Sequence, residues 1–377
     1  MIRLQKRDYI IGGAIIFLVS TGLITAYFLG AFDNSSKFSF SEIILDGPDN
    51  ATTISYIDLD GDGDIDILGA SHSDNIFCWW ENIGQDTFLY HIISNSFTHA
   101  AILEGADLDS DGDMDLVGST MDMNQLVAFI NNGTETFSHQ IITSSFHGGI
   151  GIEFADINED NYSDIVACAY DDNRVSWFEN NHNLTFTERI VTSNLGEPTQ
   201  CHPVDIDSDG DLDILAMGNT PGEIRLCENN GSQSFQDQVI HLVPEMVHGV
   251  SPADIDGDGD LDIVGCTIND PGSVYWFEAV GSNNFELHNI TNNFEGANYV
   301  MSKDFDQDGD ADVIASSFDR EEIAVWENIG EARFQKHIAV RFPAAYFKIA
   351  DLDGDNDLDL LSVNHHPPEF VWFKNLS

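Results

Sequence analysis

Past residue 38 the chain is a succession of short stretches in which apolar and polar residues alternate, the period of a half-buried strand. One unit shows their order. Residues 248–254 run into an Asp-rich loop, residues 261–267 run out of it, SVYWFE at 273–278 is aromatic, and NFELHNI at 284–290 is a fourth stretch. The third stretch recurs as Trp79-Trp80-Glu81-Asn82, Trp177-Phe178-Glu179-Asn180, Val325-Trp326-Glu327-Asn328 and Trp372-Phe373-Lys374-Asn375. The fourth recurs as Phe with Ile four residues on: Phe88 and Ile92, Phe137 and Ile141, Phe186 and Ile190, Phe334 and Ile338. Four strands in about 49 residues is the size of one propeller blade.

The loop between the first and second stretches is a nonapeptide that occurs seven times, beginning at Asp58, Asp107, Asp156, Asp205, Asp254, Asp304 and Asp351, at steps of 49, 49, 49, 49, 50 and 47 residues. The first copy reads DLDGDGDID. Acids at alternate positions around a central glycine let a short loop wrap one hard cation, and Ca²⁺ takes six to eight oxygen ligands. The candidate ligands stand at positions 1, 3, 5, 7 and 9, with position 7 offering its backbone carbonyl. They are Asp58, Asp60, Asp62, Asp64 and Asp66; Asp107, Asp109, Asp111, Asp113 and Asp115; Asp156, Asn158, Asp160, Tyr162 and Asp164; Asp205, Asp207, Asp209, Asp211 and Asp213; Asp254, Asp256, Asp258, Asp260 and Asp262; Asp304, Asp306, Asp308, Asp310 and Asp312; and Asp351, Asp353, Asp355, Asp357 and Asp359. Up to seven calcium ions are expected. Position 6 is Gly in five copies and Asn161 or Asn356 in two, the residues that best tolerate a left-handed turn. An EF-hand would need flanking helices and a Glu at position 12, where Gly69 and Gly118 stand instead. Each loop runs on into a segment such as IDILGA, MDLVGS or LDIVGC, which reads as a strand, so the loop is predicted to turn a β-hairpin. A solvated acidic turn without an ion is the plain alternative, and seven near-identical ligand sets weigh against it.

The seventh copy ends after its third strand, while FSFSEIIL at 38–45, with Phe40 and Ile44, repeats the fourth-strand pattern at the front. That segment is predicted to complete blade seven, closing the ring and removing the open edges of a solenoid. The whole pattern, residues 38–377, resembles the FG-GAP/VCBS repeat family, the calcium-loop propellers related to the head of integrin α subunits, on the strength of the D-x-D-x-D-G-x-x-D loop in a β context and fragments such as Gly69-Ala70. The resemblance implies an all-β, seven-bladed β-propeller, in a family that includes adhesion receptors, lectins and lyase-associated domains.

Residues 9–32 run without a charge for 24 positions, enough to span about 30 Å of hydrocarbon as a helix. Arg3, Lys6 and Arg7 precede the run, so residues 1–8 are expected in the cytoplasm and the propeller outside it, at the cell surface or in the periplasm. Residues 33–37 would be a short linker. A cleaved signal peptide, leaving a secreted protein, is the rival reading; its apolar core is usually about 7–15 residues, shorter than this one.

The formal charge is -51, from 65 acids against 14 Lys and Arg; the seven loops hold 34 of those acids, and without them the charge is -17. A phosphate backbone would be repelled, so no nucleic-acid partner is expected. The five cysteines, an odd number with no C-x-x-C, read as buried free thiols rather than a disulfide framework. N-glycosylation sequons at Asn132, Asn183, Asn230 and Asn289 are permissive only.

Function is expected on the face opposite the Asp loops, where connections vary from blade to blade. Candidates there are His72, Asp319, Arg320, His365 and His366, with His99, His147, His202 and His248 near the starts of the innermost strands. Those last four lie 8, 9, 3 and 6 residues before their loops, out of register for a ring of metal ligands, so ordinary polar lining is expected. Three readings are open: a membrane-anchored recognition or adhesion scaffold for a protein or cell-surface ligand; a lectin-like glycan binder, which exposed aromatics such as Phe97, Phe146 and Phe294 would favour; and a polysaccharide lyase or hydrolase, which would need a lone acid/base group in a deep cleft. No catalytic motif is present, and a binding scaffold rather than an enzyme is expected.

Overall fold

The computed structural model describes residues 15–20, 23–28, 37–48, 51–243, 245–268, 271–281, 284–365 and 368–377. Every regular element among them is a strand. Six antiparallel four-stranded sheets succeed one another, and a seventh draws on segments far apart in sequence. Together they form a seven-bladed propeller.

Blade one sets the pattern: Ala51–Ile57, Asp66–Ser71, Ile76–Asn82 and Phe88–Ser94 lie side by side in that order from channel to rim. The second strand of blade one is buried at every position, as are its equivalents in the next five blades. The outer strand alternates between half-buried and exposed residues. The fifth unit keeps the expected order as Val247–Ala253, Asp262–Thr267, Ser273–Ala279 and Phe285–Thr291. The core lies between neighbouring blades: Leu68, Phe77 and Trp79 of blade one pack with Leu103, Leu116 and Phe129 of blade two. Trp80, Trp177 and Trp372 are among the largest fully buried side chains. The third-strand aromatics therefore serve as inter-blade packing.

Blade seven consists of Tyr346–Ala350, Asp359–His365 and Pro368–Asn375, completed by Phe40–Leu45. The closing strand pairs antiparallel with the third, Phe40 opposite Asn375 and Leu45 opposite Phe370. Phe38 and Phe40 pack against Phe305, while Ile43 and Leu45 pack with Trp80 and Trp372. This is the closure expected from residues 38–45.

The apolar run at 9–32, expected as a helix, falls partly outside the described residues. Its described parts, Ile15–Ser20 and Leu23–Phe28, pair with each other as strands and meet the closing strand where Phe28 faces Glu42. No helix among the described residues is long and apolar enough to cross a membrane. Ile, Val, Thr and aromatic residues fill this run, and their periodicity suits a strand as readily as a buried helix.

In six blades the pairing of first and second strands slips by one residue, between Ala51 and Thr53 in blade one and between Ala297 and Tyr299 in blade six. Such a bulge re-aims side chains. Consecutive residues such as Thr52 and Thr53, or Thr199 and Gln200, both line the central channel.

Candidate functional site

The seven Asp loops turn the hairpins between first and second strands and so share one face of the disc. Position 6 takes a left-handed backbone in every copy, from φ 97° at Gly112 to 104° at Gly309, with Asn161 at 69° and Asn356 at 73°. The turn folds the loop back on its first carboxylate. Asp58 Oδ2 accepts from the N–H of Gly63 at 3.1 Å, and Asp156 Oδ2 from that of Asn161 at 2.7 Å; the other five copies repeat the bond. The fifth-position carboxylate accepts from the N–H of position 7 in all seven.

This wrapping gathers carboxylate oxygens. One oxygen each from Asp58, Asp60 and Asp62 lies within 4.8 Å of the others, as in Asp107, Asp109 and Asp115; Asp205, Asp207 and Asp213; Asp254, Asp256 and Asp262; and Asp304, Asp306 and Asp308. In the second loop, Oδ1 of Asp107 and Oδ1 of Asp109 are buried without a hydrogen-bond partner. Burial, reinforced by neighbouring aspartates, raises the pKa of Asp60, Asp109, Asp207 and Asp256. An oxygen-only donor set with orphaned acceptors fits a hard divalent cation such as Ca²⁺. Two loops already meet an ammonium: Lys37 pairs with Asp306 and with Glu327, and Lys374 with Asp353 and with Asp86. In the third loop burial works against ionisation of Asp160, yet the hydrogen bond from His182 at 2.8 Å keeps its pKa low.

The ninth position has a second job. Asp66, Asp115, Asp164, Asp213, Asp262, Asp312 and Asp359 are buried at 0–1 % exposure. Oδ2 of Asp66 accepts from the N–H of Leu59 at 2.9 Å and Oδ1 from that of Asn82 at 2.7 Å. Every blade repeats this bracket between loop start and third-strand end. Burial raises these carboxyls, to about 7 for Asp66 and about 6 for Asp115. The Asn at the bracket's far end ties blades together, for Asn82 Nδ2 donates to Leu352 O at 2.8 Å and Asn328 Nδ2 to Ile255 O at 2.7 Å. Asp262→Ala strands two buried N–H groups, those of Ile255 and Ala279, and is expected to cost about 2–6 kcal/mol, while Asp262→Asn keeps an acceptor and costs about half. Denaturant midpoints with and without calcium check this: the loss persists in calcium-free buffer if the residue is a bracket, and vanishes there if it acts only as a ligand.

The opposite face holds the variable residues. His72 stacks on His99 with ring centroids 4.0 Å apart, and His99 Nδ1 lies 2.6 Å from Asp122 Oδ1. His147 Nδ1 lies 3.0 Å from Asp172 Oδ1, which Arg174 flanks at 3.5 Å through Oδ2. Arg320 donates to Asn293 Oδ1 at 3.0 Å and lies over Phe294, while Asp319 is exposed. His365 ends a strand, and His366 lies outside the described residues. His202 and His248 line the channel at different levels, so the four inner histidines form no ring. Phe97, Phe146 and Phe294, considered as exposed sugar-stacking groups, are buried at 5 %, 0 % and 0 %. They pack on third-strand aromatics: Phe97 on Phe129, Phe146 on Phe178 and Phe294 on Trp326. All five cysteines are free and buried.

The least repetitive chemistry lies in the channel. Ser55, Glu104, Glu153, His202, Ser251, Met301 and Lys348 all stand three residues before their loops, one from each blade. A cavity of about 300 Å³ reaches down to this level and includes Met121 and Asn219, from connections on the face opposite the Asp loops. Lys348 Nζ lies 3.4 Å from Glu104 Oε1, and Ser55 Oγ donates to Glu104 Oε2. Burial opposes the charge of Lys348, but Glu104, Tyr346, Tyr299 and Glu153 together hold it protonated. Burial raises both Glu104 and Glu153, and Lys348 offsets part of the rise. Burial and Lys348 push His202 down to about 4, so it is neutral at physiological pH. His202 is among the sequence candidates, but Glu104, Glu153 and Lys348 escape that reading because this position is not repeated from blade to blade; only alignment of the first strands on their loops reveals the shared level.

Comparison with known proteins agrees with this architecture. The model of the FG-GAP-like repeat matches residues 58–118, 107–167, 157–216, 205–265, 254–315 and 304–362. No curated protein matches the sequence. Among solved structures, an Agrocybe aegerita lectin, described as recognising non-reducing terminal N-acetylglucosamine, is 21% identical with a TM-score of 0.57, over 78% of this chain and 81% of its own. A catalytically inactive virginiamycin B lyase from Staphylococcus aureus, with quinupristin, is 13% identical with a TM-score of 0.61, over 90% of this chain and 99% of its own. Both share the fold. With repeat matches spanning most of its length, this chain belongs to the FG-GAP-like repeat family.

Proposed function

We propose that this propeller is an extracytoplasmic recognition scaffold, in which calcium stiffens the Asp-loop face and the opposite face binds a protein or cell-surface ligand, and that the apolar run 9–32 holds it at the membrane by leaving the strand pairing of 15–28 for the bilayer. One observation carries the reading: the two faces divide their labour. The Asp-loop face repeats one carboxylate arrangement in all seven blades. The other face changes from blade to blade: His–Asp pairs in two of them, His99 with Asp122 and His147 with Asp172, and Arg320 with Asn293 in another. A rigid repetitive scaffold with one irregular face is the usual disposition of a binding protein.

A glycan ligand is the second reading. The fold shared with the N-acetylglucosamine-recognising lectin favours it, as do the Thr52, Thr199 and Gln200 side chains lining the channel. The burial of Phe97, Phe146 and Phe294 removes the aromatic platforms first considered for stacking.

Binding of the detergent-solubilised full chain to intact cells and to a polysaccharide panel tests both readings, with and without calcium. Calcium-dependent binding that weakens in His147→Ala and Arg320→Ala is expected. Binding that survives both changes and calcium removal would sink the assignment of this face. Polysaccharide binding alone would promote the glycan reading.

A further inference from the structure

Glu153 is the charged group of the channel left without a close cation. Lys348 is committed to Glu104 at 3.4 Å, and Glu104 also accepts from Ser55. Among the described residues, the nearest basic group to Glu153 is Nδ1 of His202, 3.8 Å from its Oε1, and that imidazole is neutral. Exposure separates the three charged side chains. Glu153 is 39% exposed, against 18% for Glu104 and 14% for Lys348. The carboxylate facing the open space is therefore the unpaired one. Two carboxyl groups share one ammonium, and the one standing apart from it, Glu153, is left for a cation from solution.

The rest of the cavity has a consistent character. Its walls carry neutral polar groups held in place by the protein: Thr53 Oγ1 donates to Ala101 O at 2.8 Å and Gln200 Oε1 accepts from the N–H of Val250 at 2.8 Å, which leaves the Gln200 Nε2 donor and the Thr53 oxygen lone pairs for a ligand, while Asn298 is spent on Ala344, Ala345 and Ser316. Two aromatic rings, Tyr299 and Tyr346, meet at 4.4 Å between centroids, and Lys348 lies 5.6 Å from the Tyr346 ring, so the aromatic wall already accepts one cation on its face. A volume of about 300 Å³ is at the small end of ligand pockets, enough for a molecule of one sugar ring.

We infer that the channel cavity binds a small polar molecule bearing a protonated primary amine, with Glu153 taking the ammonium, Gln200 Nε2 donating to its oxygen and the Thr53 hydroxyl oxygen accepting from it. This site stands whether or not the outer face binds a macromolecule. An anionic ligand would meet Glu153 first and be repelled, because Lys348 is less exposed and already paired.

The test uses the calcium-loaded full chain in detergent. Ethanolamine, glucosamine and glycinamide are titrated calorimetrically, each beside its N-acetylated counterpart, which removes the charge and adds an acetyl group, so that the Glu153 variant below separates loss of charge from added bulk. At least one amine is expected to bind one-to-one, with its acetylated form at least about tenfold weaker, as loss of a charge-assisted hydrogen bond implies. Glu153→Gln should lower amine affinity by the same factor, leaving the acetylated form and the melting temperature unchanged. If that variant does not fold, Glu153→Asp, which keeps the charge, should retain the preference for amine over acetylated form. The inference is overturned if none of the three amines binds at millimolar concentration, if amine and acetylated forms bind alike, or if Glu153→Gln binds amines as the parent does.

Discussion

Removing calcium from the folded protein is expected to lower its unfolding free energy by roughly 10 kcal/mol, much of the stability of an ordinary domain. A ligand at ten times its dissociation constant stabilises by about 1.4 kcal/mol per site, and seven loops multiply that gain. The structure supplies the reason for the dependence. Three carboxylate oxygens within 4.8 Å of one another repel at any pH where they are ionised, and the buried Oδ1 atoms of Asp107 and Asp109 have no protein donor to offset their burial. The loss should be uneven. The sixth and seventh loops keep an internal counter-charge from Lys37 and Lys374, so their blades should loosen last. Denaturant titration with and without a chelator measures the total, and hydrogen exchange resolves the blades. Equal midpoints in both buffers would end the calcium reading.

Opening the ring should be nearly as costly. Phe38, Phe40, Ile43 and Leu45 are 5–8 % exposed, and fully burying such a side chain is worth about 1.5–3 kcal/mol. Deleting residues 38–45 therefore forfeits roughly 6–12 kcal/mol before any loss of main-chain bonds. It also bares the edge of Pro368–Asn375, a template for pairing with another molecule. The expected product is an aggregating or unfolded chain. The double change Phe38→Ala and Phe40→Ala isolates the packing contribution, with an expected loss of about 6–10 kcal/mol. A double variant that melts with the parent would show that the ring closes without this strand.

Much of this architecture was legible in residue order. Blades emerge from period-two alternation because each strand packs between neighbours. The loops emerge from carboxylate spacing, because one glycine-turned loop leaves few other uses for alternate acids. Even closure was readable, since Phe40 and Ile44 repeat a pattern missing after Asn375. The rest fails for identifiable reasons. Asp at position 9 joins three of the gathered carboxylate clusters, as its spacing suggested, but its second role, bracketing two buried N–H groups, leaves no separate mark in the sequence. Phe97, Phe146 and Phe294 lie in connections, which suggested exposure, yet those connections tuck back over the third strands. Glu104, Glu153 and Lys348 are scattered singly across blades two, three and seven, and only the ring brings them to one level.

The closing strand also has a polarity. Phe40 sits opposite Asn375, Lys37 reaches Asp306 and Glu327, and Phe38 packs on Phe305, so the chain joins the disc at the rim of its acidic side. Under the anchored reading, a bilayer holding residues 9–32 would lie beneath the carboxylates and the channel would open away from it. Divalent ions at the loops would then screen the acidic side from anionic headgroups, and low calcium would both loosen the disc and push it off the lipid. The face that meets the surroundings is thus chosen by which end of one strand comes first.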